Sequence, residues 1–212
     1  MIDQKNIPLE VKKVAEVLEQ GGFEAYLVGG CVRDLVVGKT PKDWDLTTNA
    51  HPDQIQALFP ESFCNNDYGT VGVKNEETLD ERLKVIEVTP YRSEGTYSDA
   101  RRPDSVVFGV SLQEDLARRD FTINAIAYRI KTAETVDLYE GVEDIRKKRI
   151  KTVGNAHERF SEDALRLMRA VRLAVELNFM IEAETMAGII ALAPSLQKIA
   201  IERVGHEHFP QF

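Results

Sequence analysis

The chain has 212 residues, 43% hydrophobic and 29% charged, with a formal net charge of −8. That length buries a core in one or two domains, and no stretch approaches the roughly 18 uninterrupted apolar residues that a membrane span needs. An acidic chain is a poor general binder of nucleic acid, yet Arg101-Arg102, Arg118-Arg119, Arg146 to Arg149 and Arg166, Arg169 and Arg172 form basic clusters that can focus charge in a cleft. The N-terminal residues lack the apolar core of a secretory signal. Cys31 and Cys64 form neither a CxxC pair nor a disulfide framework, so a cytoplasmic location is expected.

Apolar spacing from Leu9 to Leu18 predicts a helix over 8–20, stopped by Gly21-Gly22. Ala25 to Val28 reads as a buried strand running into Gly29-Gly30, followed by a helix over about 31–37 that ends at Gly38. Lys42 to Thr48 reads as a strand or strand-loop carrying two aspartates, and Pro52 to Phe59 as a helix capped by Asn49 or Asp53. Strands are expected over Thr70 to Lys74 and Leu83 to Thr89, then a mobile polar loop from Tyr91 to Asp104, a strand over Val106 to Val110 and a helix from Leu112. Phe121 to Ile130 is apolar and Val136 to Leu138 is a short strand. Helical patterns then dominate over 142–148, 157–177 and 182–192. The expected architecture is an α/β head over 1–150, a small mixed sheet with flanking helices, followed by an all-helical piece over 151–212.

Four motifs carry chemistry. Gly29-Gly30 before Arg33 lets backbone N–H groups approach a phosphate at a helix start, with a guanidinium beside it; alone, it is an ordinary tight turn. Asp43 and Asp45, spaced i, i+2 on a strand, point to one face and offer the hard oxygen ligands that suit Mg²⁺ with phosphate oxygens. Glu87, interrupting the apolar run Val85 to Thr89, is a candidate third ligand or an exposed strand charge. Arg118-Arg119-Asp120 abuts the apolar run that holds Asn124, so Arg119 can bind triphosphate or sugar with Asp120 orienting it; a plain ion pair is the alternative. Asp163, Arg166, Arg169 and Arg172, at successive steps of three, cover one half of an amphipathic helix.

GGCVRD, KDWDLTTNA, RRDFTINA and SEDALRLMRAVR, in this order, resemble the class II, bacterial-type tRNA nucleotidyltransferases, the CCA-adding enzymes related to poly(A) polymerases in the polymerase-beta-like superfamily. The resemblance runs from about 8 to 204. It implies a nucleotidyltransferase head followed by a helical neck, with Asp43 and Asp45 as ligands of two Mg²⁺ ions. It also implies nucleotide contacts at Gly29, Gly30, Arg33, Arg119, Asp120, Asn124, Asp163, Arg166, Arg169 and Arg172. The implied substrates are CTP and ATP, and the implied partner is the 3′ end of tRNA, with pyrophosphate released. The idea of a side-chain template agrees with the residues: Asp163 only accepts and Arg166 only donates hydrogen bonds, a pair that matches the Watson–Crick edges of cytosine and adenine and mispairs with uracil and guanine. The segment with Arg92, Gly95, Arg101 and Arg102 resembles the flexible loop of complete CCA-adding enzymes, which argues against a CC-only enzyme. Body and tail domains are not expected in this chain, so tight tRNA binding is expected to suffer. Rival readings are an A-adding enzyme or poly(A) polymerase of the same fold, and a non-catalytic nucleotide- or RNA-binding fragment.

Overall fold

The computed structural model describes residues 2–64, 68–95 and 105–198. Its strands are β1 (Tyr26–Val28), β2 (Asp45–Thr48), β3 (Ser62–Cys64), β4 (Val71–Lys74), β5 (Val85–Pro90), β6 (Arg92–Glu94), β7 (Val106–Phe108), β8 (Ile126–Arg129), β9 (Glu134–Asp137), β10 (Arg149–Ile150) and β11 (Met180–Ile181). Its helices are α1 (Leu9–Gln20), α2 (Gly30–Val37), α3 (Pro52–Leu58), α4 (Leu112–Ala117), α5 (Gly141–Arg146), α6 (Ala156–Glu162), α7 (Leu165–Leu177) and α8 (Ala183–Leu192). A seven-stranded mixed sheet runs in the order β3-β4-β5-β2-β1-β8-β9, with β2 and β5 parallel and the other pairs antiparallel.

The two faces of this sheet differ. Period-two alternation sends Leu27, Leu46, Val71, Val73, Ile86, Val88, Ile126 and Tyr128 to one face, where they join the main core with Val11, Val14 and Leu18 of α1, Val32 and Leu35 of α2 and Ile55 of α3. The opposite face is apolar only at one end, where Tyr26, Val28 and Ala127 pack with Tyr91 and Leu116. Its remaining surface carries Asp45, Thr47 and Glu87, in register across β2 and β5.

The helices after residue 150 are fastened to the sheet unit by backbone. β10 and β11 form a short parallel ladder, and Phe121 bridges Thr152. Gly188 lets α8 lie close on α6, since a Cβ there would sit 3.0 Å from Ala156 and 3.1 Å from Phe160.

Several expectations need correction. The strand after Lys42 starts at Asp45, so Asp43 lies in the preceding bend. His51 rather than Asn49 or Asp53 stands at the N-cap of α3, its N–H donating to Gln54 Oε1 at 2.8 Å, while Asn49 Oδ1 accepts from the Glu24 N–H. The expected loop from Tyr91 opens as a strand, because Arg92–Glu94 pairs with Val106–Phe108; Arg101 and Arg102 lie outside the described residues. The helix expected over 157–177 is two helices, broken where Asp163 adopts an extended backbone and its Oδ1 accepts from the Leu165 N–H at 2.9 Å. Arg146 and Lys147 pair with Glu143, and Arg149 pairs with Asp144. Three of the four cations in that cluster are therefore engaged by neighbouring carboxylates.

The start of α5 tests the packing. Asp137 accepts from the N–H groups of Gly141 and Val142 at 2.7 and 2.9 Å, and a Cβ at Gly141 would overlap the carbonyl oxygen of Thr122. Gly141→Ala is expected to lower stability by about 1–3 kcal/mol, read as a fall in the urea midpoint with an unchanged slope.

Candidate functional site

Asp45 leads the site. Trp44, 3% exposed, anchors the chain in the core, and the alternation leaves Asp43 exposed on one side of it and Asp45 half-buried at the start of β2. Asp45 is pushed up to about 6 by burial first, then by the like charges of Glu87 and Asp43, with Arg119 opposing. A carboxylate in that condition is under-neutralised and is relieved by a cation. Asp43 and Asp45 supply two hard oxygen ligands, and Mg²⁺ completes its octahedron with water and phosphate oxygens; the donor set therefore fits Mg²⁺. Glu87 shares the face of Asp45 as its register partner, but no group of three or more His, Cys, Asp or Glu is gathered to hold an ion among the described residues. The reason lies in the backbone: Asp43 sits on the bend and not in the ladder. Cys31, whose thiol burial pushes up to about 12, donates to the Val28 and Asp45 carbonyls and is no nucleophile.

The glycine turn faces this pair. Gly29 has φ 78° and ψ −138° and caps α2, a conformation that L side chains avoid. A Cβ there would lie 3.3 Å from Arg119 Nη1 and 3.8 Å from Asp45 Oδ2. Arg119 is held by Asp115 at 3.1 Å, and its Nε is buried without a hydrogen-bond partner. Arg33 donates to Asp34 Oδ1 at 2.8 and 2.9 Å and to Asn124 Oδ1 at 2.9 Å.

From Asn124 the polar contacts continue. Asn124 Nδ2 donates to Asp120 Oδ1 at 3.1 Å, and Arg169 of α7 binds Asp120 Oδ2 at 2.8 and 3.0 Å. Burial alone would raise Asp120, but Arg169, Asn124, the Phe121 N–H and Arg166 hold it below the ordinary carboxylate value. It therefore stays ionised. The chain Asp34–Arg33–Asn124–Asp120–Arg169 joins α2 to α7 across a cavity of about 510 Å³ lined by Gly30, Arg33, Lys39, Lys42, Asp43, Asp45, Asn124, Arg169 and Arg172, among others. Basic groups thus face an acidic pair, the charge pattern of a pocket for a polyanion carrying a divalent cation.

Two expected residues stand elsewhere. Arg166, 7% exposed, donates to Glu162 at 2.5 Å and to the Arg159 carbonyl at 3.0 Å, and Asp163 accepts from the Leu165 N–H at the start of α7. Neither lines the cavity, and nor do Gly29, Glu87, Arg119 and Asp120. Other residues were missed. Asp115, fully buried, binds Arg118 at 2.8 Å as well as Arg119; its spacing at i, i+3 and i+4 from these arginines on a predicted helix was the available signal. Glu94 binds Arg118 at 2.8 Å and Arg92 at 3.3 Å and lies 3.8 Å from Arg166. Nothing in the local pattern marked it as buried.

A carboxylate-bearing mixed sheet beside a glycine turn and basic helices defines an α/β head with a charged cavity against it. Residues 25–151 match the poly A polymerase head domain, more than half the chain, and the chain belongs to that family. It is 47% identical over 197 residues to the CCA-adding enzyme of Leuconostoc mesenteroides, covering 92% of this chain and 47% of that protein. It is also 47% identical over 202 residues to the CCA-adding enzyme of Enterococcus faecalis, covering 93% and 48%. The fold matches the crystal structure of the Bacillus stearothermophilus CCA-adding enzyme in complex with CTP at a TM-score of 0.83 and 39% identity, over 95% of this chain and 48% of that one. The chain spans about half the length of these relatives. No helix among the described residues is long and apolar enough to cross a membrane.

The geometry sets two tests. The folded chain holds the Asp45 proton more tightly than the unfolded chain, so this group adds stability below pH about 4 and loses it as pH rises through about 6. In metal-free buffer at pH 7.5, Asp45→Asn is expected to stabilise the protein by about 3 kcal/mol, with the gain vanishing near pH 4; thermal melts across that range check it. Gly29→Ala is expected to cost about 1–3 kcal/mol through backbone strain and to weaken triphosphate binding by displacing Arg119, measured by calorimetry.

Proposed function

We propose that the protein is a template-independent nucleotidyltransferase that adds CCA to tRNA 3′ ends from CTP and ATP, releasing pyrophosphate. The observation that carries this reading is the cavity that sets Asp43 and Asp45 against Gly30 and Arg33 at the start of α2 on one side and Arg169 and Arg172 of α7 on the other. Relatives at 47% identity bear the CCA-adding name, one matching structure holds CTP, and another, a tRNA nucleotidyltransferase 27% identical with a TM-score of 0.73, is complexed with a primer tRNA and an incoming ATP analogue.

Asp43 and Asp45 would hold Mg²⁺, with Glu87 as a third carboxylate beside them. When bound, Mg²⁺ supplies Lewis-acid stabilisation of the triphosphate and of the attacking hydroxyl. The chain's own groups do the rest. The α2 N-terminus, Gly30 and Arg33 receive phosphate oxygens, and Asp34 and Asn124 keep the Arg33 guanidinium oriented. Arg119 adds positive charge above Gly29, with its unpaired Nε as a further donor. Asp120 fixes Arg169, and Arg172 extends the basic wall toward the base. Residues 151–198 would serve as the neck that closes the pocket. Asp163 and Arg166 at the start of α7 would read the base, which requires Arg166 to exchange Glu162 for the nucleotide edge. An unmatched buried polar group costs about 1–3 kcal/mol, so two mismatches would exclude uracil and guanine strongly. Arg92 and Gly95 would form the stem of a loop that moves between C and A addition.

A poly(A)-type or A-only activity is the second reading, favoured by the name of the matching head domain. Labelled CTP and ATP offered with tRNA lacking CCA, followed by product sequencing, separates them: CCA ends support the first reading and A-only tails the second. Asp45→Asn is expected to abolish incorporation while the protein remains folded, and substantial residual turnover would remove the metal role. Asp163→Ala, assayed with all four triphosphates, is expected to lose its preference for C and A; an unchanged preference would defeat the template role.

A further inference from the structure

The cavity accounts for only one side of Asp45. The other side is the open half of the same sheet face, and its residues follow from register. Asp45 is opposite Glu87, Glu87 opposite Gly72, and Gly72 opposite Phe63. In-register neighbours project to one face, so these four positions form a straight row across β2, β5, β4 and β3. Gly72 leaves a gap in it. The Phe63 ring fills that gap, because a Cβ on Gly72 would lie 2.6 Å from Phe63 Cζ and 2.8 Å from Cε1. The ring therefore lies along the sheet toward the carboxylates while the side chain remains partly exposed. Lys74, exposed and two residues beyond Gly72 on the same face, holds its ammonium 5.9 Å from the ring centroid.

In-line displacement places the attacking oxygen opposite the leaving pyrophosphate. With the triphosphate against α2 and Arg33, the attacking strand must approach Asp45 from the β5, β4 and β3 side, which is this row. Three strand spacings of about 4.8 Å put the Phe63 backbone about 14 Å from that of Asp45, and the ring reaches back over Gly72. We infer that Phe63, seated over Gly72, is a stacking platform for an unpaired base at the 3′ end of the acceptor RNA, with Lys74 released from the ring to a backbone phosphate. This rests on the nucleotide-transfer reading above and adds the acceptor's position to it. An exposed cation–π contact is weak, so the exchange of Lys74 from ring to phosphate is inexpensive, and base–aromatic stacking tolerates any base.

The test uses this chain and an RNA minihelix with an unpaired 3′ end. Phe63→Leu keeps an apolar filler over Gly72 without a ring. It is expected to raise the KM for the minihelix roughly five- to hundredfold, the loss falling on that KM rather than on the KM for CTP, and Phe63→Tyr is expected to restore it. Phe63→Trp gives a readout independent of turnover, because Trp44, the single native tryptophan, is buried in the main core on the opposite face. Saturable quenching of the new indole by the minihelix, together with the selective KM effect, supports the platform. Absence of quenching, or an acceptor KM in Phe63→Leu equal to wild type, overturns it. Should the unaltered chain transfer no nucleotide, the proposed function fails while the quenching result still decides the stack.

Discussion

Asp120 is the carboxylate through which two halves of the site share one geometry. It is buried, ionised and satisfied from three directions: its own following N–H, Asn124 and Arg169. Asn124 passes the constraint to Arg33 on α2, and Arg169 passes it to α7. Losing one partner of a buried charge leaves the other uncompensated, which costs far more than the pair itself contributes. These polar contacts tie α2 to α7 across the cleft, alongside the apolar contacts through which both helices join the main core.

A second buried acid, Asp115, does the same for the arginines on the opposite wall. It gathers Arg118 and Arg119 and lies near the Arg92 N–H, so the stem of the β6–β7 hairpin and the cationic group above Gly29 share a support. Asp45 is treated differently. Its neighbours Glu87 and Asp43 raise its proton affinity, and only Arg119 opposes them. The fold spends stability at Asp45 and recovers it at Asp115 and Asp120, which is how a strained functional residue persists in a stable frame.

What could be read from the chain depended on the range of each signal. Leu27, Leu46, Ile86 and Val88 repeat with period two, so the core face of the sheet was legible, as were Gly29, Gly38 and the helix between them. That Asp43, Asp45, Arg33 and Arg169 meet around one cavity was legible from residue type and order. The break at Asp163 was not, since the apolar period continues through it and only a local cap decides the backbone. Arg166 looked like a cleft residue from its helical phase, yet Glu162, four residues before it, captures the guanidinium. Asp115 and Glu94 resemble surface acids in a charged stretch. Their enclosure depends on elements more than 20 residues away, as the contacts of Thr47 with Asp115 and Glu94 with Arg118 make plain.

The two-residue ladder of β10 with β11 bears on how α7 is held. Met180 donates to Lys148 and Glu182 to Ile150, at 2.8 and 2.9 Å, immediately after α7 and immediately before α8. Both ends of that connection are pinned by backbone to the segment Lys148 to Ile150 after α5, while the opposite end of α7 begins after the break at Asp163. These two bonds hold the Met180 end of α7 in place. Sliding along the helix axis would shear both backbone bonds at once.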